Sequence, residues 1–162
     1  MRRAQQKVCA LARLASVIGR AKARGRRVVL TNGCFDLLHA GHVKVLEQAK
    51  GLGDILIVAL NSDASVRRLK GAGRPILPQR DRALLLAALA SVDYVTVFGE
   101  DTPLRVVRRL RPHVLVKGAD WQTGRIVGRD LVEASGGRVV RVPLVKGLST
   151  SRLIARIRRR RE

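Results

Sequence analysis

Apolar and polar positions along this chain fall into two alternating rhythms. Near-continuous runs of Val, Ile and Leu recur at Arg27 to Thr31, Asp54 to Leu60, Asp93 to Phe98, His113 to Lys117 and Arg138 to Val142. Such runs predict strands buried on both faces. Between them apolar residues recur every three or four positions, predicting helices over about His39 to Leu52, Gln79 to Ala90, Pro103 to Leu110 and Val127 to Ser135. Flanking helices are expected near Gln5 to Arg24 and Ser149 to Arg160. The order βαβαβαβαβα implies an α/β fold, a doubly wound parallel sheet of about five strands in a single domain. Ligands of such sheets bind beyond the carboxyl ends of the strands. The loops to inspect are therefore "TNGCFD", "NSDASVRRLKGAGRP", "GEDTP", "KGADWQTG" and "PLVKGLSTS".

The totals narrow the class. A chain of 162 residues is long enough to bury one core without staples. We divide it into an N-terminal flanking helix (1–25), a main domain (26–157) and an arginine-rich tail (158–162). No apolar stretch approaches the ~20 residues needed to cross a bilayer, so no membrane association is expected. No small-residue cleavage pattern follows the basic N-terminus, which makes the cytoplasm the expected compartment. The two cysteines, Cys9 and Cys34, form neither a metal-type pair nor a disulfide framework. A net charge of +21, carried mostly by scattered arginines, points to an anionic partner without choosing among nucleic acid, membrane and phosphorylated metabolite.

Two of the three histidines, His39 and His42, lie three residues apart where the first strand gives way to a helix. In a first helical turn that spacing puts both rings on one face. Gly33 permits a tight turn, and Gly41 removes a side chain between the rings, so an anion can approach them and the free N–H groups of the helix start. This geometry suits a polyphosphate. Zinc ligation with Cys34 and Asp36 is the rival reading, but the spacing matches no standard zinc module, and no metal site is assigned. His113 and Lys44 read as structural and solvated residues. Neither GxxxxGK[ST] nor a dinucleotide fingerprint occurs.

"TNGCFDLLHAGH" resembles the HxGH signature of the nucleotidyltransferase superfamily, which has a Rossmann-like fold. With "LNSDASVRRLKGAGRPILPQRDR", "VDYVTVFGEDTP", "VLVKGADW", "IVGRDLVEASGGRVV" and "LSTSRLI", the chain resembles the adenylyltransferase part of the ADP-heptose synthase family from about Arg26 to Ile157. That resemblance implies joining ATP, with Mg²⁺, to a D-glycero-D-manno-heptose 1-phosphate with release of pyrophosphate. It makes His39 and His42 the triphosphate-contacting pair and places Thr31, Gly33 and Phe35 in the nucleotide loop. Lys70 and Arg82 match basic positions that gather the β and γ phosphates, with Arg80 as the alternative to Arg82. Lys117, Gly118, Asp120 and Trp121 resemble the segment near ribose and substrate. Ser149, Thr150 and Ser151 resemble the hydroxyl-rich motif of the last helix, reading STS where relatives read STT. The sugar kinase domain that often accompanies the family is not recognised here, so a separate kinase is expected to supply the sugar 1-phosphate. A homo-oligomer is compatible with the resemblance.

Asp36, Asn61, Asp63 and Trp121 are the candidates for substrate contact. Asn61 and Asp63 read equally well as hydrogen-bond partners of sugar hydroxyls or as turn and cap residues, and Trp121 as cavity wall or sheet-edge cover. The residue types fit the chemistry in their own right. A sugar phosphate is ionised near neutral pH, its second pKa being about 6, so attack on the α-phosphorus needs alignment and positive charge rather than a base. Two alternatives remain: a cytidylyltransferase acting on a polyol phosphate, and a nucleic-acid-binding protein. Against the second stand an aromatic content of 2% and no basic-aromatic interleaving for base stacking. Nonspecific affinity for polyanions is expected in either case.

Overall fold

The computed structural model describes residues 3–119, 126–143, 145 and 147–159. Five strands, β1 (Val28–Gly33), β2 (Ile55–Asn61), β3 (Tyr94–Phe98), β4 (Val114–Gly118) and β5 (Arg138–Val142), form one parallel sheet in the order β3-β2-β1-β4-β5. The chain builds outward from β1 to β3, then returns to lay β4 against the other side of β1. The carboxyl ends of β1 and β4 diverge at that reversal, which opens a crevice there.

Alternation along each strand divides the core in two. Val28, Leu30, Ile57, Ala59 and Leu115 join the cluster that holds Leu14 and Ile18 of α2 (Leu11–Ala23), Val106, Val107 and Leu110 of α6 (Leu104–Leu110) and Val132 of α7 (Arg129–Ala134). Val29, Leu56, Val58, Leu60 and Val116 face the other way, onto Leu46 and Ala49 of α3 (Ala40–Lys50) and Ala83, Leu86 and Ala87 of α5 (Gln79–Ala88). Helices thus cover both faces, which is why the strands read as apolar runs and not as alternating ones. The amino ends of the strands are pinned by side chains: His113 Nδ1 accepts the Val28 N–H at 2.9 Å, and Asp93 accepts the Leu56 N–H at 2.7 Å.

The five strands and the helices after β1, β3, β4 and β5 lie where the pattern places them, with ends shifted by one or two residues. Two elements differ. The helix expected over Gln5 to Arg24 is broken into α1 (Ala4–Lys7) and α2, because Val8 bridges Val95 and Cys9 N–H donates to the Val95 carbonyl at 2.9 Å. This extended piece covers the open edge of β3, which would otherwise present unpaired backbone groups. The second is α4 (Asp63–Lys70), within a segment expected to be loop. Ser62 caps it by accepting the Ser65 N–H, and Gly71, at φ 96°, stops it. The last helix, α8, spans Thr150–Arg159. Among the described residues no helix is long and apolar enough to cross a membrane.

Because Leu14 of α2 is fully buried in the first cluster, Leu14→Ala is expected to cost about 2–5 kcal/mol of unfolding free energy. Urea titration checks this. An unchanged midpoint would mean that the N-terminal helix is not part of the cooperative core.

Candidate functional site

The crevice is organised by the loop that leaves β1. Phe35 takes a left-handed conformation, φ 44°, costly for an aromatic residue, and its ring folds back over the strand end. Gly33 makes room for it, since a Cβ there would lie 2.9 Å from Phe35 Cε2. Further along, His39 is the N-cap of α3 in extended conformation, and His42 follows in the first turn. The two imidazoles stack with centroids 3.8 Å apart and planes inclined by 18°, and the Phe35 ring tilts against His42 at 5.1 Å. A Cβ on Gly41 would come within 2.9 Å of His39 Nδ1, so any larger residue would disturb the stack.

Both Nδ1 atoms are buried and have no hydrogen-bond partner among the described residues. Buried polar atoms of this kind are ordinarily satisfied, and an orphan pair in a crevice calls for an external partner. Burial pushes the His42 pKa down to about 4, with the neighbouring His39 adding to the effect, and burial also lowers His39. Both rings are therefore neutral at pH 7, and each has one N–H to donate.

The rings face a cavity of about 550 Å³ whose wall includes Thr31, Asn32, Phe35, Gly41, Asn61, Lys70, Lys117, Gly118 and Ser149 to Ser151. Its cations come from three directions: Lys70 at the end of α4, Arg74 on the following loop and Lys117 at the end of β4, whose ammonium bonds the Asn32 side-chain oxygen. Asp36 and Asp101 also line it, each paired with an arginine, Arg74 and Arg68 respectively. Anions are thus favoured. Ser149 Oγ accepts the Arg152 N–H at 3.2 Å and so caps α8, while Thr150 Oγ1 donates to the Leu37 carbonyl at 3.3 Å, tying α8 to the histidine loop.

Four expected ligand contacts have partners within the chain. Arg82 is fully buried. Its guanidinium donates to the carbonyls of Leu77 (3.0 Å), Cys34 (2.5 Å) and Asn61 (3.0 Å) and to the Asp63 carboxylate (2.7 Å). It stands behind the cavity wall and not in it, so the expected phosphate contact is corrected to a bracing role. Arg80 is exposed on α5 and does not line the cavity either. Asp63 is committed to Arg82, and the Asn61 amide, on the cavity wall, donates to Ser65 Oγ at 3.0 Å. Asp36 accepts the Ile76 and Leu77 N–H groups at 2.7 and 3.2 Å besides binding Arg74, fixing the loop that carries it. Asp120 and Trp121 lie outside the described residues.

Arg74 is the residue that sequence reasoning missed. Its Nε goes to Asp36, and its terminal nitrogens have no partner among the described residues. The signal was present in "KGAGRP", a glycine-rich loop flanked by two cations.

Residues 30–155 match the cytidylyltransferase-like family. The chain is 58% identical over 144 residues to the bifunctional protein HldE of Citrifermentans bemidjiense and to that of Alkalilimnicola ehrlichii, covering 89% of this chain and 30% of each relative. It is 56% identical over 146 residues to the HldE protein of Geobacter metallireducens. The chain thus spans about 30% of the length of these relatives. Among solved structures, the lipopolysaccharide core biosynthesis protein from Thermoplasma volcanium GSS1 is similar with a TM-score of 0.62 and 28% identity, over 75% of this chain and 98% of that one.

The lowered histidines make stability pH-dependent. An unfolded imidazole takes up its proton near 6.5, whereas folded His42 refuses it until about 4. The unfolded chain therefore binds more protons in that window, and unfolding free energy falls as pH drops from 6.5 towards 4. Urea midpoints of the wild type should decline across this range and those of His42→Asn should decline less. Parallel curves for the two proteins would contradict the assignment.

Proposed function

The chain belongs to the cytidylyltransferase-like family of nucleotidyltransferases, and from that premise we propose that it joins ATP to a heptose 1-phosphate, giving an ADP-heptose and pyrophosphate. The observation that carries the reading is the stacked, unpartnered histidine pair at the head of α3, set in a cavity with three cations. The identity to the HldE relatives supports the choice of substrate within the family. A sugar 1-phosphate is a kinase product, so the reading also implies a sugar kinase upstream.

The ionised oxygen of the sugar phosphate attacks the α-phosphorus in line, and the bond from that phosphorus to the bridging oxygen breaks, its electron pair leaving with pyrophosphate. No protein base is required. His39 and His42 donate to the non-bridging oxygens on which charge builds, where a positioned donor in a dry site is most effective. Lys70, with Arg74 in the place first given to Arg82, gathers the β and γ phosphates. Thr31, Gly33 and Phe35 shape the nucleotide loop, Gly41 keeps the path to the rings open, and Lys117 and Gly118 border the ribose. Thr150 and Ser151 bring hydroxyls to the phosphates from α8. ATP arrives as its Mg²⁺ complex. When bound, Mg²⁺ would neutralise part of the triphosphate charge, and this chain supplies a cationic wall around the triphosphate through Lys70, Arg74 and Lys117.

The test is pyrophosphate release from a panel of nucleoside triphosphates and phosphorylated sugars and polyols. ATP with a heptose 1-phosphate should give the highest kcat/KM. Preference for CTP with a polyol phosphate would replace the substrate assignment, and sequence-selective nucleic-acid binding without turnover would replace the enzyme. His39→Ala and His42→Ala should each lower kcat about a hundredfold or more while leaving the thermal transition in place. Near-wild-type turnover in both would remove the histidines from the chemistry.

A further inference from the structure

A second cavity, of about 580 Å³, adjoins the first and shares Lys70, Arg74 and Ser151 with it. One wall is the loop Gly71, Ala72, Gly73 and Ile76, and the other is α8, through Ser151, Ile154, Ala155, Arg158 and Arg159. Positions 151, 154, 155 and 158 are spaced i, i+3, i+4 and i+7, so one face of α8 lines the groove along its length. From Ser151 to Arg158 that face extends about 10 Å at 1.5 Å per residue, away from the residues shared with the first cavity.

Among the described residues four cations line this groove and no carboxylate does. Lys70 makes no hydrogen bond or ion pair among the described residues, and the terminal nitrogens of Arg74 are likewise open. The loop adds backbone donors, because the N–H groups of Ala72 and Gly73 have no partner among the described residues. A Cβ on Gly71 or Gly73 would meet nothing within 4 Å, so this side of the groove is open. Glycine-containing loops with free amides beside lysine and arginine are anion cradles.

We propose that this groove is a diphosphate station: it takes the pyrophosphate group once the bond to the α-phosphorus breaks, and Arg158 and Arg159 hold it at the far end before release. The inference rests on the transferase reading for the origin of the diphosphate and assigns a function to arginines that the sequence presents as a solvated helix end. In the reaction the leaving group carries the electron pair of the broken bond, and its negative charge is met in turn by Lys70 and Arg74 and then by the two arginines. The same chemistry serves the β and γ phosphates of bound nucleotide, so the probes must separate the two sources.

The experiment uses the full chain and calorimetry with three probes: Mg²⁺-pyrophosphate, AMP and α,β-methylene-ATP. The variants are Arg158→Ala/Arg159→Ala and, as a control of equal charge loss, Arg108→Ala/Arg109→Ala on the exposed face of α6. Loss of two charge-assisted contacts should weaken pyrophosphate binding about tenfold or more in the first variant. AMP affinity should stay unchanged in it, and the control should bind pyrophosphate like wild type. A smaller loss for α,β-methylene-ATP than for pyrophosphate places the arginines on the released product, and an equal loss places them on the bound triphosphate and overturns the station. Equal weakening in both variants, or no pyrophosphate binding by the wild type, also overturns it. Turnover is measured alongside: pyrophosphate binding without transfer would count against the substrate reading alone, and transfer with unaltered pyrophosphate affinity in the variant would count against the groove alone.

Discussion

The site depends on one buried guanidinium. Arg82 reaches from α5 to the loop after β1 through Cys34, to the end of β2 through Asn61, to the head of α4 through Asp63 and to the loop after Arg74 through Leu77. A fully buried charge is tolerated only when its hydrogen bonds are met, and here four acceptors from four segments meet them. The same bonds fix where the histidine loop stands relative to Lys70 and Arg74. Asp36 works from the opposite side, since its carboxylate holds Ile76, Leu77 and Arg74 against the histidine loop. The two residues form a cross-brace, Arg82 behind the cavity and Asp36 in its wall. Neither needs to touch a ligand for the cavity to require both.

With the walls fixed, the chemistry follows from what is left unsatisfied. The histidines are desolvated and held apart from other donors and acceptors, which keeps them neutral. The lysines and arginines around them are charged, so the free cavity carries a positive potential without placing two imidazolium ions face to face at 3.8 Å. Under the proposed function an incoming phosphate would supply the missing partner and favour protonation of the rings where negative charge grows. Stored desolvation of this sort makes the empty site slightly unstable and the filled one better matched.

Much of this was legible in the sequence, for physical reasons that differ by element. The strands were visible because both faces of the sheet are covered, which forces near-continuous Val, Ile and Leu. The histidine pair was visible because a local spacing, HAGH, sets the geometry within one helical turn. Helix α4 escaped because only Ser65 and Val66 of its eight residues are buried, leaving no apolar stripe; its Ser62 cap and Gly71 stop were the available signals. The break at Val8 was not legible at all, being decided by pairing with Val95, some ninety positions away. Arg82 was misdirected for a related reason. The family resemblance put it on the phosphates, and the acceptors that bury it lie on segments brought together only by folding.

The two imidazoles are held neutral and have unpartnered Nδ1 atoms among the described residues, and we propose that a polyphosphate completes them. Titration of the histidine side chains by ¹⁵N NMR, in the free protein and with α,β-methylene-ATP bound, tests it most directly. His42 should titrate with a midpoint at about 4 in the free protein and move upward by about one unit or more in the complex. A free midpoint near 6.5, or one that ligand leaves in place, would contradict it.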